Sequence, residues 1–176
     1  ATLDTIIDGK KLLPVKRTIA NSIPEGYKMM RKALANRPDS SVVIITVGFA
    51  TNLSRLLNSQ PDEFSELNGI DLIKKKVKLL SIMSGTYNDD TFNNPEWNVL
   101  QDLKAAQNVY NNWPTEVIAS GSEVGVRILY PHESVLNDYP GGEKYPLCVS
   151  YKSYEQMPYD RPCWDLTSVL YAIEPE

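Results

Sequence analysis

The chain has 176 residues, of which 42% are hydrophobic and 23% charged, a balance typical of a folded protein with a sizeable core. Its net charge of -4 and its scattered lysines argue against a nucleic-acid-binding face, because neutralising phosphates requires a basic patch. No stretch is apolar for long enough to span a bilayer, which excludes a membrane-embedded protein.

The cysteines and the chain start bear on the cellular compartment. Cys148 and Cys163 are too few for a disulfide framework and lack the CxxC spacing of a metal site, so we predict that both pack in the interior. The opening "ATLDTIIDGKK" has neither an initiator Met nor a visible signal peptide, as expected for a start partway through a longer precursor. The compartment stays open between the cytoplasm and a bacterial periplasmic or secreted location.

The first third of the chain predicts a helix, a strand and further helical segments. Ser22 can cap a helix that ends near Asn36, before Pro38. The run "SVVIITV" at 41–47 has no polar alternation, which predicts a strand covered on both faces. The segments "FATNLSRLLNS" and "PDEFSELNGIDLIKKK" then return to helical spacing.

The middle of the chain repeats the alternation of strands and helices. The run "VKLLSIM" at 77–83 predicts a second buried strand, and "SGTYNDDTFNNPEWN" after it predicts a loop. A helix follows in "DLKAAQNVYNNW", and "TEVIAS" at 115–120 predicts a third strand. This order predicts an α/β fold with a mostly parallel, Rossmann-like sheet flanked by helices.

The last third, residues 121–176, has no clear strand and contains the turn-rich break "YPGGEKYP". Its last segment, "WDLTSVLYAI", predicts a helix with an apolar face made by Leu166, Val169, Leu170 and Ile173. We expect residues 1–176 to form one α/β domain or the C-terminal part of one.

The residues directly after each predicted strand are site candidates, because open parallel sheets bind their ligands there. These places are Val47-Gly48, the loop at 84–98, and the stretch from Ser120 to Glu123. Glu96 and Asn98 would point the same way on an extended segment, which suits hydrogen bonds to neighbouring hydroxyls. The alternative is a solvated loop in which Asn and Asp residues make turns.

Asp165, just before the last apolar run, has two interpretations from spacing alone. It can cap the helix, because Thr167 and Ser168 would then lie at the second and third positions, or it can have a functional role. The lone histidine, His132, is predicted to be a surface residue.

Four segments resemble the inosine-uridine-preferring nucleoside hydrolase family. "VGFATNL" is similar to the family's Gly-x-x-Thr-Asn turn, and "SIMSGTY" to its Met-Gly-Gly strand end. "PEWNVLQDLKAAQNV" resembles Glu-Phe-Asn-x-x-x-Asp-x-x-Ala-Ala, and "CWDLTSVLYAI" resembles the segment His-Asp-Pro-x-x-Val-x-Tyr. The four motifs occur in the family's order, so the chain looks like the C-terminal portion of such a hydrolase.

The resemblance implies hydrolysis of the N-glycosidic bond of a ribonucleoside or related N-riboside, with Ca2+ holding the ribose diol and the attacking water. Asp165 would bind the metal through its carboxylate and Val47 through its backbone oxygen, both donors that calcium prefers. Glu96 and Asn98 match the family's ribose-hydroxyl binders. A further family asparagine falls on Asn88, Asn93 or Asn94, which the sequence does not separate.

The family's Asp-x-Asp-x-x-x-Asp-Asp cluster, which supplies the remaining metal carboxylates and the general base, does not occur in the sequence. We expect it in an N-terminal segment that has been lost, cleaved or held as a separate chain. An enzyme is the main hypothesis for the complete protein. The alternative is a non-catalytic nucleoside- or sugar-binding module of the same fold.

Trp164 stands where many family members have a histidine that protonates the leaving base. An indole N–H is not acidic at neutral pH, so this Trp would instead stack on a base or pack in the core. Trp-Asp in place of His-Asp looks like a divergent bacterial branch of the family, and Glu123 is a further pocket candidate. The expected partner is a small-molecule nucleoside, while a homo-oligomer stays open.

Overall fold

The structure is a computed structural model that describes residues 6–7, 9–11, 23–87 and 95–175. The chain divides into two compact units. The sheet unit comprises Pro24–Arg127 and Trp164–Glu176, and the helical unit comprises Ala1–Ile23 and Ile128–Cys163.

The elements follow one another in an order that agrees with the predicted alternation of helices and strands. Along the chain they are β1 (Ile6–Ile7), β2 (Lys10–Lys11), α1 (Gly26–Ala35), β3 (Val42–Thr46), α2 (Thr51–Leu57), α3 (Gly69–Lys76), β4 (Val77–Met83), α4 (Trp97–Gln101), α5 (Leu103–Asn112), β5 (Glu116–Ser120), α6 (Ser122–Gly125), β6 (Leu129–Tyr130), α7 (His132–Asn137), α8 (Pro146–Tyr154), β7 (Arg161–Pro162) and α9 (Trp164–Ile173). A short 3-10 helix lies between α7 and α8 at Gly142–Lys144.

The centre of the sheet unit is a parallel sheet of three strands in the order β3, β4, β5. Thr46 pairs with Ile82, which pairs with Ala119 on the other side. Each crossover between neighbouring strands contains helices, as parallel pairing requires. The predicted α/β class and parallel sheet are therefore confirmed.

Four helices, α1, α2, α3 and α5, pack over one face of this sheet, called the core face below. Leu53, Leu56 and Leu57 of α2 are buried there at the three- and four-residue spacing that places side chains on one side of a helix. Leu80 and Ile82 of β4 meet them at 0% and 1% exposure. This apolar burial is the main source of stability of the unit.

A buried arginine connects α1 with the segment between α2 and α3. The Arg31 side chain, on α1, is 0% exposed and donates to both carboxylate oxygens of Asp62, at 2.7 and 3.0 Å. It also donates to the Ser59 hydroxyl and to the carbonyl oxygens of Ser65 and Leu67. Because every nitrogen of the guanidinium is hydrogen-bonded to the segment between α2 and α3, its burial is tolerated.

The opposite face of the sheet, called the α9 face, is covered by α9, which contacts all three strands. Its contact with the middle strand includes a polar one, in which the Ser81 hydroxyl donates to the Ser168 carbonyl oxygen at 2.7 Å. Ser168 is the buried residue of this helix. The small serine side chains allow the helix to lie close to the sheet.

Two expectations about burial are wrong on this face. Residues 41–47 are not covered on both faces, because β3 is an edge strand whose Val43 and Ile45 remain 37% and 39% exposed. The apolar face predicted for α9 is also largely exposed at Leu166, Leu170 and Ile173. Periodicity indicates which side chains share a helix face, but it does not say that another element covers them.

The helical unit contains the pair of two-residue antiparallel strands β6 and β7, which the sequence analysis missed because such short strands have no periodicity. Cys148 and Cys163 are buried free thiols here, as predicted. Tyr151 and Tyr159 stack with ring centroids 5.4 Å apart. Within the described residues of the whole chain, no helix is long and apolar enough to cross a membrane.

Candidate active site

The strands β3, β4 and β5 are parallel, so their last residues lie at one edge of the sheet, called the carboxyl edge below. Backbone hydrogen bonds continue the pairing beyond the strands, from Ser84 N–H to the Ser120 carbonyl and from Ser122 N–H to the Gly85 carbonyl. The segments that follow β4 and β5 are therefore held side by side. Most of the residues predicted for the site lie in or next to these segments.

Glu96 is buried at 7% exposure and caps the N-terminus of α4. Its Oε1 accepts from the backbone N–H of Asn98 at 2.7 Å, and its Oε2 accepts from Val99 N–H at 3.0 Å and from Gly85 N–H at 3.2 Å. The last contact fixes the carboxylate beside the end of β4. A carboxylate offers about four lone-pair positions, so one acceptor position on Oε1 remains.

Asn98 lies close to Glu96, although the predicted local geometry is wrong. The segment from Glu96 to Asn98 is the start of a helix rather than an extended strand, because the Glu96 carboxylate satisfies the first free amides of α4. Asn98 still reaches the end of β4, where its Nδ2 donates to the Met83 sulfur at 3.4 Å. The two side chains thus meet at the same strand end.

Glu123 lies in α6, directly after β5, and is buried at 8% exposure. Its Oε1 accepts from the Tyr87 N–H at 3.0 Å. Its Oε2 and the Thr86 hydroxyl are buried without a hydrogen-bond partner among the residues that the structure describes. Such unsatisfied acceptors are costly in a folded protein, which makes this spot a candidate for a bound polar group.

The hydroxyl groups of Tyr87 and Tyr110 form a hydrogen bond of 2.8 Å next to these acids. Burial, this bond and the nearby carboxylates of Glu123 and Glu96 together raise the pKa of Tyr87 far above its usual value. Tyr87 therefore remains a neutral hydrogen-bonding group at the edge of the site.

The first turn of α9 also lies at the carboxyl edge. The Thr167 hydroxyl is hydrogen-bonded to the Ser120 hydroxyl at the end of β5. Trp164 packs against α6, where a Cβ on Gly125 would lie only 2.4 Å from the Trp164 Cα. These contacts place the Trp164–Asp165 pair beside the segment that holds Glu123.

Asp165 is an exposed residue inside the first turn of α9, which begins one residue earlier, at Trp164. Asp165 is therefore at the second position of the helix rather than at the N-cap position that the capping interpretation assigned to it. A carboxylate in the first turn still interacts favourably with the positive end of the helix dipole. Val47 directly follows β3 and is 42% exposed. The two predicted metal ligands, Val47 and Asp165, both lie in the sheet unit.

Comparison with protein families bears on the function of the carboxyl edge. The family described as inosine-uridine preferring nucleoside hydrolase matches residues 5–176, almost the whole chain. The chain belongs to this family. Comparison with curated proteins finds no match.

The nucleoside hydrolase family suggests hydrolysis of the N-glycosidic bond of nucleosides, a class of small-molecule substrates. The match also agrees with the fold, in which helices flank a parallel sheet. Among the other predicted site residues, Asn88 and Asn93 lie outside the described residues, as does Asn94.

One residue beside the candidate site that the sequence analysis did not single out is Trp97. It lies between Glu96 and Asn98 and is 67% exposed, unusual for a large aromatic side chain. The sequence "EWN" could have drawn attention to Trp97, because an aromatic side chain between two ribose-binding candidates can contact the same ligand.

A groove of about 810 Å³ in the sheet unit lies elsewhere. It is lined by residues of α1, α2 and the segment after α2, including the exposed ion pair between Glu25 and Arg55. None of the predicted site residues lines it. The candidate site therefore lies at the carboxyl edge and not in this groove.

Proposed function

We propose that the carboxyl edge binds a ribonucleoside or related N-riboside and contributes to hydrolysis of its N-glycosidic bond with a Ca2+-held water. The observation that carries this proposal is the convergence of two segments at neighbouring strand ends. Glu96 and Asn98 contact the end of β4, while the first turn of α9 contacts the end of β5. Family membership gives the chemistry that these groups would serve.

Glu96 and Asn98 are proposed to hold the ribose hydroxyls. Three backbone amides hold the Glu96 carboxylate in one orientation, so little side-chain entropy is lost when a hydroxyl binds. A carboxylate accepts strongly from hydroxyl donors, and the neighbouring amide of Asn98 adds both a donor and an acceptor. This combination suits a vicinal diol.

Trp164 and Glu123 are proposed to contact the part of the substrate that carries the base. The indole offers a flat apolar surface for a base, but its N–H does not act as a general acid. The unsatisfied Oε2 of Glu123 would accept from an N–H or O–H of the ligand. We infer that leaving-group activation depends on a group other than the residue at position 164.

The proposed metal ligands fit calcium by donor type. The Asp165 carboxylate and the Val47 carbonyl are hard oxygen donors, and both residues are exposed. Calcium takes six to eight oxygen ligands, so substrate hydroxyls, water and further carboxylates would complete its coordination. When bound, the ion would lower the pKa of a coordinated water and hold it near the ribose.

The test is release of ribose from a panel of nucleosides by the purified protein, with Ca2+ and with a chelator. We expect Asp165→Ala to abolish metal-dependent release while the melting temperature stays close to that of the wild type. Asp71→Ala is the matched control, because Asp71 is likewise an exposed carboxylate in the first turn of a helix, and none of the proposed binding groups belongs to that helix, α3. Normal release by Asp165→Ala would contradict the metal assignment.

A second pair of variants separates binding from helix capping. Glu96 and Asp102 cap α4 and α5 respectively, so alanine at either position costs about 1 kcal/mol of stability. Only Glu96→Ala should weaken nucleoside binding. Equal affinity in the two variants would remove Glu96 from the site, and nucleoside binding without any turnover would favour the non-catalytic module.

A further inference from the structure

His132, the lone histidine of the chain, is held firmly at the start of α7 in the helical unit. The Oδ1 atom of Asp160 accepts twice from this residue, from the backbone N–H at 2.9 Å and from the ring Nδ1 at 2.7 Å. The two bonds fix both the position and the rotation of the imidazole ring. None of the proposed nucleoside-binding groups belongs to this cluster.

The contact with Asp160 also fixes which ring nitrogen carries a proton. The Asp160 Oδ1 atom already accepts the backbone N–H of His132 at 2.9 Å, so it is an acceptor toward the ring as well. Nδ1 must therefore carry the hydrogen. In the neutral ring, Nε2 then has a free lone pair.

The Nε2 lone pair faces a second carboxylate. Oε1 of Glu133 lies 3.2 Å from His132 Nε2. Two acceptors at this distance repel each other unless a cation lies between them. That cation is either a proton on Nε2 or a metal ion bound by both atoms.

We propose that His132 and Glu133 form a Zn2+ site, with Asp160 as the positioning residue. Two ligand atoms at about 2.0–2.1 Å from a tetrahedral zinc ion lie about 3.3 Å apart, close to the observed separation. A carboxylate that orients a histidine through Nδ1 is the usual support for a zinc-bound Nε2. The three side chains, with ligand atoms within 4.8 Å of one another, converge as such a site requires.

The exposure of the site indicates an exchangeable ion. The side chains of His132 and Glu133 are 26% and 66% exposed, so water would complete the coordination. An imidazole ligand favours zinc over calcium, which prefers oxygen ligands. The inference is thus independent of the calcium site proposed for the sheet unit.

Isothermal titration of the purified protein with zinc chloride, in a large excess of calcium chloride, tests this proposal. We expect one zinc ion per chain, loss of binding in His132→Gln, and about 10–100-fold weaker binding in Asp160→Asn. Glu133→Gln should also weaken binding. Glu155→Gln is the control, because it removes the same charge from an exposed position at the end of α8.

Two results would overturn the proposal. The first is the absence of zinc binding by the wild type, or unchanged binding by His132→Gln. The second is a ring NMR spectrum in which His132 keeps protons on both nitrogens in the presence of zinc, which would identify the proton as the bridging cation. Nucleoside turnover is not a readout here, so failure of the proposed hydrolase function leaves this test intact.

Discussion

The two faces of the sheet are stabilised in different ways. The core face is packed by four helices and buries an almost entirely apolar cluster. The α9 face is covered by one helix, which is hydrogen-bonded to the middle strand through Ser81 and Ser168. Exposed apolar side chains, such as Val43 and Leu170, lie in the elements of this second face.

This difference indicates that the core face provides most of the stability, while the α9 face contributes residues to the candidate site. Dense apolar packing provides most of the folding free energy, and a small change in volume there is costly. The α9 face supplies the Trp164–Asp165 pair to the carboxyl edge through an element with few apolar contacts. We therefore expect substitutions on the core face to change stability and those on the α9 face to change the site.

The largest effect is expected from Asp62→Ala, which removes the anion that pairs with the fully buried Arg31. A buried guanidinium without its carboxylate costs roughly 3–5 kcal/mol. Chemical denaturation measures this loss. A change below 1 kcal/mol would mean that the other acceptors of Arg31 suffice and that the core face does not depend on this ion pair.

The same pair predicts an acid-dependent loss of stability. The hydrogen bond from Arg31 is the main cause that lowers the pKa of Asp62 below the usual 3.8. The native state thus binds this proton less readily than the unfolded state, so the stabilisation is present above about pH 4 and is lost as the pH falls further. Asp62→Asn should flatten the acid limb of a plot of unfolding free energy against pH. An unchanged acid limb would contradict this assignment.

On the core face itself, we expect Leu80→Ala to destabilise the protein by about 2–5 kcal/mol. Leu80 is 0% exposed in the middle strand, and its removal leaves a cavity between β4 and the helices. Urea unfolding with an unchanged m-value measures the effect. A loss under 1 kcal/mol would show that this face is loosely packed and would contradict the contrast drawn between the core face and the α9 face.

The α9 face is tested by Ser81→Ala, which removes the hydrogen bond to the Ser168 carbonyl. The expected loss is about 0.5–1.5 kcal/mol. Ser168→Ala is the counterpart, because its buried hydroxyl has no partner among the described residues, and we expect it to be neutral or slightly stabilising. Equal losses in the two variants would show that packing, rather than hydrogen bonding, holds this helix.

The smallest effect is expected from Leu170→Ala, on the outer side of α9. This side chain is 57% exposed, so the change should alter stability by no more than about 0.5 kcal/mol. It is matched to Leu80→Ala in chemistry and differs in burial. A loss comparable with that of Leu80→Ala would show that another surface covers Leu170 in solution.

The sequence predicted the strands and helices of the sheet unit well, because their signals are local. The β-branched run at 41–47 and the apolar run at 77–83 contain β3 and β4. The predicted parallel order followed from the alternation of strands with helices. The short strands β6 and β7 were missed, since their pairing is determined by tertiary contacts.

Burial on the α9 face was not predictable from periodicity. Leu166 and Leu170 lie on the apolar side of their helix, but Ser168 is the residue that faces the sheet. Which side of an amphipathic helix is covered depends on the neighbours available, and hydrophobic spacing contains no information about them. The same reason explains the exposure of Val43 in the edge strand.

For the candidate site, the order of candidate side chains after the strands was predictable, but their local geometry was not, and their roles stay predictions. Glu96, Asn98 and Glu123 do lie after the strands that were predicted to present them. The capping function of Glu96 and the unsatisfied oxygen of Glu123 depend on contacts with distant residues such as Gly85 and Tyr87. The metal and substrate roles of Asp165 and Val47 stay predictions.

The close approach of α6 and α9 has a consequence for how this site can diversify. A Cβ at Gly125 would lie 2.4 Å from the Trp164 Cα and 2.8 Å from its backbone nitrogen, so the glycine accommodates the main chain at position 164. The need for glycine is therefore independent of the side chain that residue 164 carries. If residue 164 contacts the substrate as proposed, a histidine in place of the tryptophan would change the chemistry at this position while the backbone stayed where it is, and the fold would need no remodelling.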